Sequence, residues 1–233
     1  MTTSQVRVAI ITGASRGLGL ALARRLAHDA YRLVIDARGL DDLEQTRAEL
    51  AELTKVVAVP GDVSEADHRR RLVEAADGQL NLLVNNASIL GPSPQPALAE
   101  YPLDILEQVY RTNVIAPLGM IQLALPLLRQ SQGTVINITS DAALEAYEGW
   151  GGYGSSKAAL EQMSRILAAE ESQVRVYWVD PGDMNTRMHQ EAYPGEDISD
   201  RPPPEESVPG LMNLIESDRP SGRYAARDLV PTQ

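Results

Sequence analysis

Cysteine is missing from all 233 residues, which excludes disulfides, thiol catalysis and a cysteine zinc site, and fits a cytoplasmic location. Any redox chemistry must therefore come from a cofactor. Basic residues are outnumbered 21 to 32, the formal net charge is -11, and no basic run is sustained, so neither nucleic acid nor an anionic membrane is an expected partner. Histidine is scarce as well. His28, His68 and His189 show no metal-ligand spacing, so no metal site is expected. His68-Arg69-Arg70-Arg71 reads as a solvated helix face, Arg24-Arg25 likewise, and His189 as a solvent-exposed residue near the mouth of a site. No segment approaches the ~20 apolar residues of a membrane-crossing helix, and MTTSQVRVAIITG holds only a short apolar run before its glycine.

What is present is enough apolar material, 43% of residues, to bury a proper core, and the expectation is one domain spanning 1–233. β-Branched runs at 6–12, 32–38, 55–63, 80–87, 133–140 and 174–182 alternate with helical patterns. Leu18, Leu22 and Leu26 recur every four residues over 17–28, and Leu43, Leu50 and Leu53 mark a second stripe over 41–53. Ser64 with Asp67 resembles a capping pair opening the next helix. Five prolines in the seventeen residues 193–209 read as a loop, and 187–210 as a substrate lid. Strand and helix alternating from 6 to 182 predict a Rossmann-like doubly wound α/β fold with a parallel sheet, whose ligands sit at the carboxyl ends of the strands.

The chemistry should then follow each strand. After the first comes TGASRGLG (12–19), where glycines allow a tight turn and a helix N-terminus offers free N–H groups to a diphosphate. The second strand ends IDAR. Asp36 and Arg38 share one face and Ala37 points the other way, so either the carboxylate or the guanidinium could meet a ribose or its 2′-phosphate. In YGSSK, Tyr153 and Lys157 stand one helical turn apart, and a cation beside a phenol favours its ionised form. That pairing predicts a proton donor or acceptor near neutral pH.

Taken in order, TGASRGLG, Asp62-Val63, Asn85-Asn86-Ala87, Asn113, Ser140, YGSSK and PGDMNT (181–186) resemble the short-chain dehydrogenase/reductase family in its single-domain form. The matches cover about three quarters of the chain. The resemblance implies a catalytic set of Asn113, Ser140, Tyr153 and Lys157. Ser140 would donate to a carbonyl oxygen, Tyr153 deliver the proton, Lys157 lower the tyrosine pKa and hold the nicotinamide ribose, and Asn113 hold a water linking Lys157 to solvent. It also implies cofactor contacts from Gly13, Ser15, Arg16, Gly17, Leu18 and Gly19, from Asp62 and Val63 around the adenine, from Asn85, Asn86 and Ala87, which would stabilise the central strand and line the groove, and from Pro181, Gly182 and Thr186 at the nicotinamide amide.

In this family the NAD-selecting carboxylate usually stands at the position of Ala37, and NADP-preferring members often carry basic residues at those of Arg16 and Arg38. This chain lacks the former and has both of the latter, which points to NADP(H) over NAD(H). Ser88 departs from the glycine usual after Asn-Asn-Ala and is expected to crowd the cofactor slightly. The ending SGRYAARDLVPTQ could supply a last strand near 222–230 but lacks the common glycine-rich close. The expected activity is hydride transfer between nicotinamide and a neutral carbonyl or alcohol, with tyrosine as general acid or base. An NAD-linked alcohol dehydrogenase and a non-catalytic cofactor sensor are the alternatives.

Substrate contacts are expected from 88–96, 141–150 and the stretch after Thr186. Leu144, Tyr147, Trp150, Met184 and Met188 would form an apolar pocket, while Asp141, Glu145, Glu148 and Asp183 disfavour a multiply anionic substrate. The family is usually dimeric or tetrameric through helices matching 103–129 and 153–171, so a homodimer or homotetramer is expected.

Overall fold

Each β-branched run forms a strand, because branched side chains suit a pleated surface covered on both faces. A computed structural model of the chain describes residues 6–230; residues 1–5 and 231–233, which the expectation of one unit over 1–233 includes, lie outside them. The strands are β1 (Val8–Ile11), β2 (Arg32–Ala37), β3 (Val56–Pro60), β4 (Leu82–Asn85), β5 (Thr134–Ile138), β6 (Arg175–Asp180) and β7 (Gly222–Ala225). They pair in parallel throughout, in the order β3-β2-β1-β4-β5-β6-β7. The order reverses between β1 and β4, and a ligand crevice is expected where it does.

The helices are α1 (Gly17–His28), α2 (Leu40–Leu50), α3 (Ala66–Glu74), α4 (Leu103–Tyr110), α5 (Ala116–Ser131), α6 (Gly151–Glu170), α7 (Arg187–Ala192) and α8 (Val208–Glu216). Alternation along the strands divides the core in two. Ala9 and Ile11 of β1 pack with Leu18, Leu22 and Leu26 of α1 and Leu211 of α8, while Val8 and Ile10 pack with Leu72 of α3 and Met120, Ala124 and Leu128 of α5.

Several expectations change. Leu53 lies beyond α2 and is exposed, whereas Leu43 and Leu50 are buried as predicted. Ser64 does not cap α3: its backbone N–H donates to Asp62 Oδ1 at 2.8 Å, and Glu65 takes the cap position without a side-chain bond. The 187–210 stretch begins with α7, passes through a short 3-10 turn at Pro204–Ser207 and runs into the start of α8, so it is partly helical. The last strand stops at Ala225 and is followed by a 3-10 turn.

Most consequential is Asn113. It lies in a π-turn, Arg111–Ile115, which interrupts the long helix between α4 and α5. The continuous helical run Leu103–Ser131, 29 residues, is long and apolar enough by length and composition to cross a membrane, contrary to the sequence expectation. Its buried stripe of Ala116, Met120, Ala124 and Leu128 belongs to the core instead.

Candidate active site

At the carboxyl ends of the strands a cleft of about 1060 Å³ runs from the β1–α1 turn to α7. The turn is shaped by its glycines. Gly13 and Gly17 have φ of +67° and +57°, a region that strains other residues, and a Cβ on Gly19 would overlap the Gly13 carbonyl. No side chain caps α1, so its first N–H groups face the cleft, where Ser15 and Leu18 also lie. The turn is fastened to β4 through Thr12. Its hydroxyl accepts from the Asn86 and Ala87 backbone N–H groups at 3.0 Å each, while Asn86 Nδ2 donates to the Thr12 and Gly13 carbonyls. Thr12 is a structural member of the site that the motif reading passed over.

Asp36 does not reach for a ribose. It is buried, accepts from the Gly13 N–H at 2.7 Å through Oδ1 and pairs with His68 Nε2 at 3.0 Å through Oδ2. Burial pushes its carboxyl pKa up, against the pull of His68 and the Gly13 N–H. His68 is thus no solvated residue. It is buried from α3 with its ring against Gly61, and Arg69 is half-buried too, giving hydrogen bonds to the Val63 and Ser64 carbonyls. Only Arg70 and Arg71 of that run are exposed. Arg16 and Arg38 line the cleft, exposed, as do Asp62 and the mostly buried Val63. A dinucleotide fits this set: a glycine cradle at an uncapped helix end for the diphosphate, and two exposed guanidinium groups for a further phosphate.

The four proposed catalytic residues come together from three elements. Tyr153 and Lys157 project from α6, Ser140 follows β5, and Asn113 arrives on the π-turn. Tyr153 packs with Leu90 and Ala142 and stands edge-on to Trp150 at 5.7 Å. Lys157 Nζ donates to the Ile138 carbonyl at 2.8 Å and lies 5.3 Å from the Tyr153 ring centroid. The electrostatics differ from the expectation that the lysine acidifies the phenol. Burial pushes Tyr153 up, with Asp180 and Asp141 adding to the rise and the Ser88 and Ser140 hydroxyls opposing it. The same burial pushes Lys157 down to about 7. Desolvation disfavours charge on both groups.

Ser140 donates to Asp141 Oδ1 at 2.9 Å and accepts from the Ala142 N–H, so it also caps a 3-10 turn. Asn113 has no side-chain position left for a water. Its Oδ1 accepts from Ser88 and the Ile89 N–H, and its Nδ2 donates to the Ile89 carbonyl and Ser156. Asn85 bonds Asn137 across β4 and β5 and does not face the cleft. Pro181 and Gly182, the latter at φ +80°, line the far end, and Thr186 accepts from the His189 N–H as the cap of α7. Trp150, Met184 and Met188 line the cleft as expected, but Leu144 and Tyr147 are exposed outside it. His189, expected in solvent, has a largely covered side chain tilted against the Tyr193 ring, centroids 4.9 Å apart.

The short chain dehydrogenase family model matches residues 7–197. The chain belongs to the short-chain dehydrogenase family. It is 38% identical over 193 residues to a rhamnolipids biosynthesis 3-oxoacyl-[acyl-carrier-protein] reductase of Pseudomonas aeruginosa, covering 78% of this chain and 74% of that protein. It is 35% identical to mouse sepiapterin reductase over 199 residues, 78% and 76% of the two chains. Among solved structures, an alcohol dehydrogenase of Thermococcus sibiricus complexed with 5-hydroxy-NADP superposes with a TM-score of 0.86 at 28% identity, covering 95% of this chain and 96% of that one. The oxidoreductase class expected from the motifs therefore holds for this short-chain dehydrogenase.

Proposed function

We propose that the protein is an NADP(H)-linked reductase of small neutral carbonyl compounds in which Tyr153 gives the proton. The observation that carries this reading is the convergence of Tyr153, Ser140 and Lys157 on one cleft, with the tyrosine packed against Leu90 and Ala142; that burial raises the phenol pKa, as suits a proton donor to a carbonyl oxygen. Ser140 offers a second donor to the same oxygen. Nicotinamide, when bound, supplies the hydride. Lys157 would fix the ribose with the donors that its bond to Ile138 leaves free.

Arg16 and Arg38 would hold the 2′-phosphate, since Asp36 is occupied beneath the glycine turn. The Thermococcus sibiricus relative, solved with an NADP derivative, supports this preference, and both sequence relatives are reductases by name. Asp141 and Asp183, exposed on the cleft, and Glu145 and Glu148, exposed on the segment after Asp141, oppose a multiply anionic substrate. Residues 187–210 would act as the lid over it. A cytoplasmic homodimer or homotetramer completes the reading.

The test is a thermal-shift titration with NADPH and NADH, followed by NADPH consumption with neutral ketones and aldehydes, sepiapterin among them. NADPH should stabilise the protein more than NADH at equal concentration. Tyr153→Phe should bind NADPH normally and lose turnover. Consumption with acidic carbonyls alone, or turnover surviving in Tyr153→Phe, would sink the reading; a response to cofactor without any turnover would favour a sensor.

A further inference from the structure

His68 is a buried titratable group to which neither the proton transfer nor the cofactor contacts assign a task. Its two ring nitrogens meet partners of opposite kind. Nε2 lies 3.0 Å from Asp36 Oδ2, and Nδ1 lies 3.2 Å from Nη2 of Arg71. A guanidinium only donates, so Nδ1 must present its lone pair, and the ring proton is left on Nε2, where the carboxylate accepts it. An imidazolium would set an N–H against the Arg71 donor. Gly61 makes room for this pose, since a Cβ there would overlap the ring. Asp36 in turn holds the start of the glycine turn twice. Its Oδ1 accepts from the Gly13 N–H at 2.7 Å, and its backbone carbonyl accepts from the Ala14 N–H at 2.9 Å. With two successive amides so occupied, a diphosphate is left the N–H groups at the uncapped start of α1.

We propose that His68 is a positioning residue for the dinucleotide, locked by Arg71 in its Nε2–H tautomer so that it clamps Asp36 onto the glycine turn. The line of bonds from Arg71 through His68 and Asp36 to Gly13 joins the exposed side of α3 to the floor of the cleft. The imidazole itself does not line the cleft, so its effect passes through Asp36. A buried carboxylate beneath an anion site needs its own charge compensated, and the Nε2–H supplies one of the two donors that do so. The turn holds the part of the cofactor that NADPH and NADH share, so the clamp serves both alike. The inference rests on a nicotinamide dinucleotide occupying the glycine turn, and not on the substrate or on Tyr153 as acid.

The experiment has two arms. Nitrogen–proton correlation spectra in neutral buffer read the tautomer, and with three histidines in the chain the spectrum of His68→Gln assigns the signal. The parent protein should show a protonated Nε2 and a bare Nδ1. Calorimetric titration with NADPH and NADH then compares the parent with His68→Leu, His68→Gln, Asp36→Asn and Asp36→Asn/Arg71→Met. Loss of a hydrogen bond to a buried charge should weaken both cofactors about tenfold in His68→Leu and leave their ratio unchanged. His68→Gln, whose amide can donate to Asp36, should recover most of the affinity. Asp36→Asn sets an amide N–H against a ring or backbone N–H and should bind both cofactors several-fold more weakly. Adding Arg71→Met frees the ring to switch tautomer and should restore most of that loss, a coupling that independent sites would not show. Should His68→Leu fold poorly, the parent spectrum and the two Asp36→Asn proteins decide. An Nδ1–H ring or an imidazolium, unchanged affinity in His68→Leu, or a double variant no better than Asp36→Asn would overturn the clamp and leave the cofactor reading standing. A changed ratio of NADPH to NADH would overturn it too, since His68 would then act at the ribose. A parent protein that binds neither cofactor would remove the cofactor reading itself, and the clamp with it.

Discussion

Asp36 and Arg38 lie two positions apart, yet burial gives them opposite tasks. The carboxylate is enclosed by the Gly13 N–H and His68, and the guanidinium stands exposed on the cleft. Arg38→Ala should therefore weaken NADPH about tenfold or more and leave NADH nearly unchanged, as loss of a charge-assisted phosphate bond requires. Asp36→Ala should loosen the glycine turn and weaken both cofactors alike. Isothermal titration of each variant with each cofactor checks this, and a selective loss of NADH in Asp36→Ala would return the carboxylate to the ribose. Lys157 gives a pH-dependent prediction. Its folded pKa near 7 lies below the unfolded 10.5, so the native state binds fewer protons between those values and stability rises with pH across that window. The burial cost is at its largest below about pH 7. Lys157→Met should abolish turnover and stabilise the protein by roughly 1–3 kcal/mol at pH 6, the gain shrinking towards pH 10. Melting curves at the two pH values measure it.

At the scale of elements, β7 has a role that its sequence does not announce. Arg223 projects from it to Glu161 on α6 at 3.0 Å, to the Ser140 carbonyl at 3.3 Å and to Asp180 at 3.5 Å. Glu161 is buried and also accepts from Thr139 at 2.8 Å. The edge strand thus ties α6, which carries Tyr153 and Lys157, to the end of β5, which carries Ser140. Removing the arginine leaves a buried carboxylate without its cation. Arg223→Met should cost about 2–3 kcal/mol in urea unfolding, below the figure for a fully buried pair because Arg223 is partly exposed. Adding Glu161→Gln to it should restore most of the loss. Helix boundaries, by contrast, followed from pattern alone for α1, where leucines four residues apart fill one face. The π-turn at Asn113 was invisible, since it comes from tertiary bonds to Ile89 and Ser156 and has no local signal.

For the molecule as a whole, apolar side chains stay uncovered on one pair of helices. Leu103, Ile115, Leu118 and Leu123 on the α4–α5 run and Ile166 on α6 are exposed, on the helices expected from the resemblance to form a subunit contact. Light scattering after gel filtration should give a dimer or tetramer. Leu118→Glu combined with Ile166→Glu should yield a monomer that still binds NADPH. A monomeric parent protein would refute this assembly, and residues of the proposed active site would be unaffected by either outcome.

The sequence by itself determined the layered fold and the glycine turn, because periodicity and motif spacing are local properties of a chain, and its resemblance to the family singled out Asn113, Ser140, Tyr153 and Lys157 as the proposed catalytic set. It also placed Asp36 and Arg38 at the end of β2. Only the tertiary structure decided that Asp36 serves the glycine turn, that His68 is buried beneath it, that Ser88 meets Asn113, and that Arg223 clamps the site from the last strand. Each of those partners lies 25 or more residues away along the chain, apart from Asp36 and Gly13 at 23, and desolvation depends on what folds over a group. That is why a lysine expected to acidify a phenol is itself driven towards its neutral form.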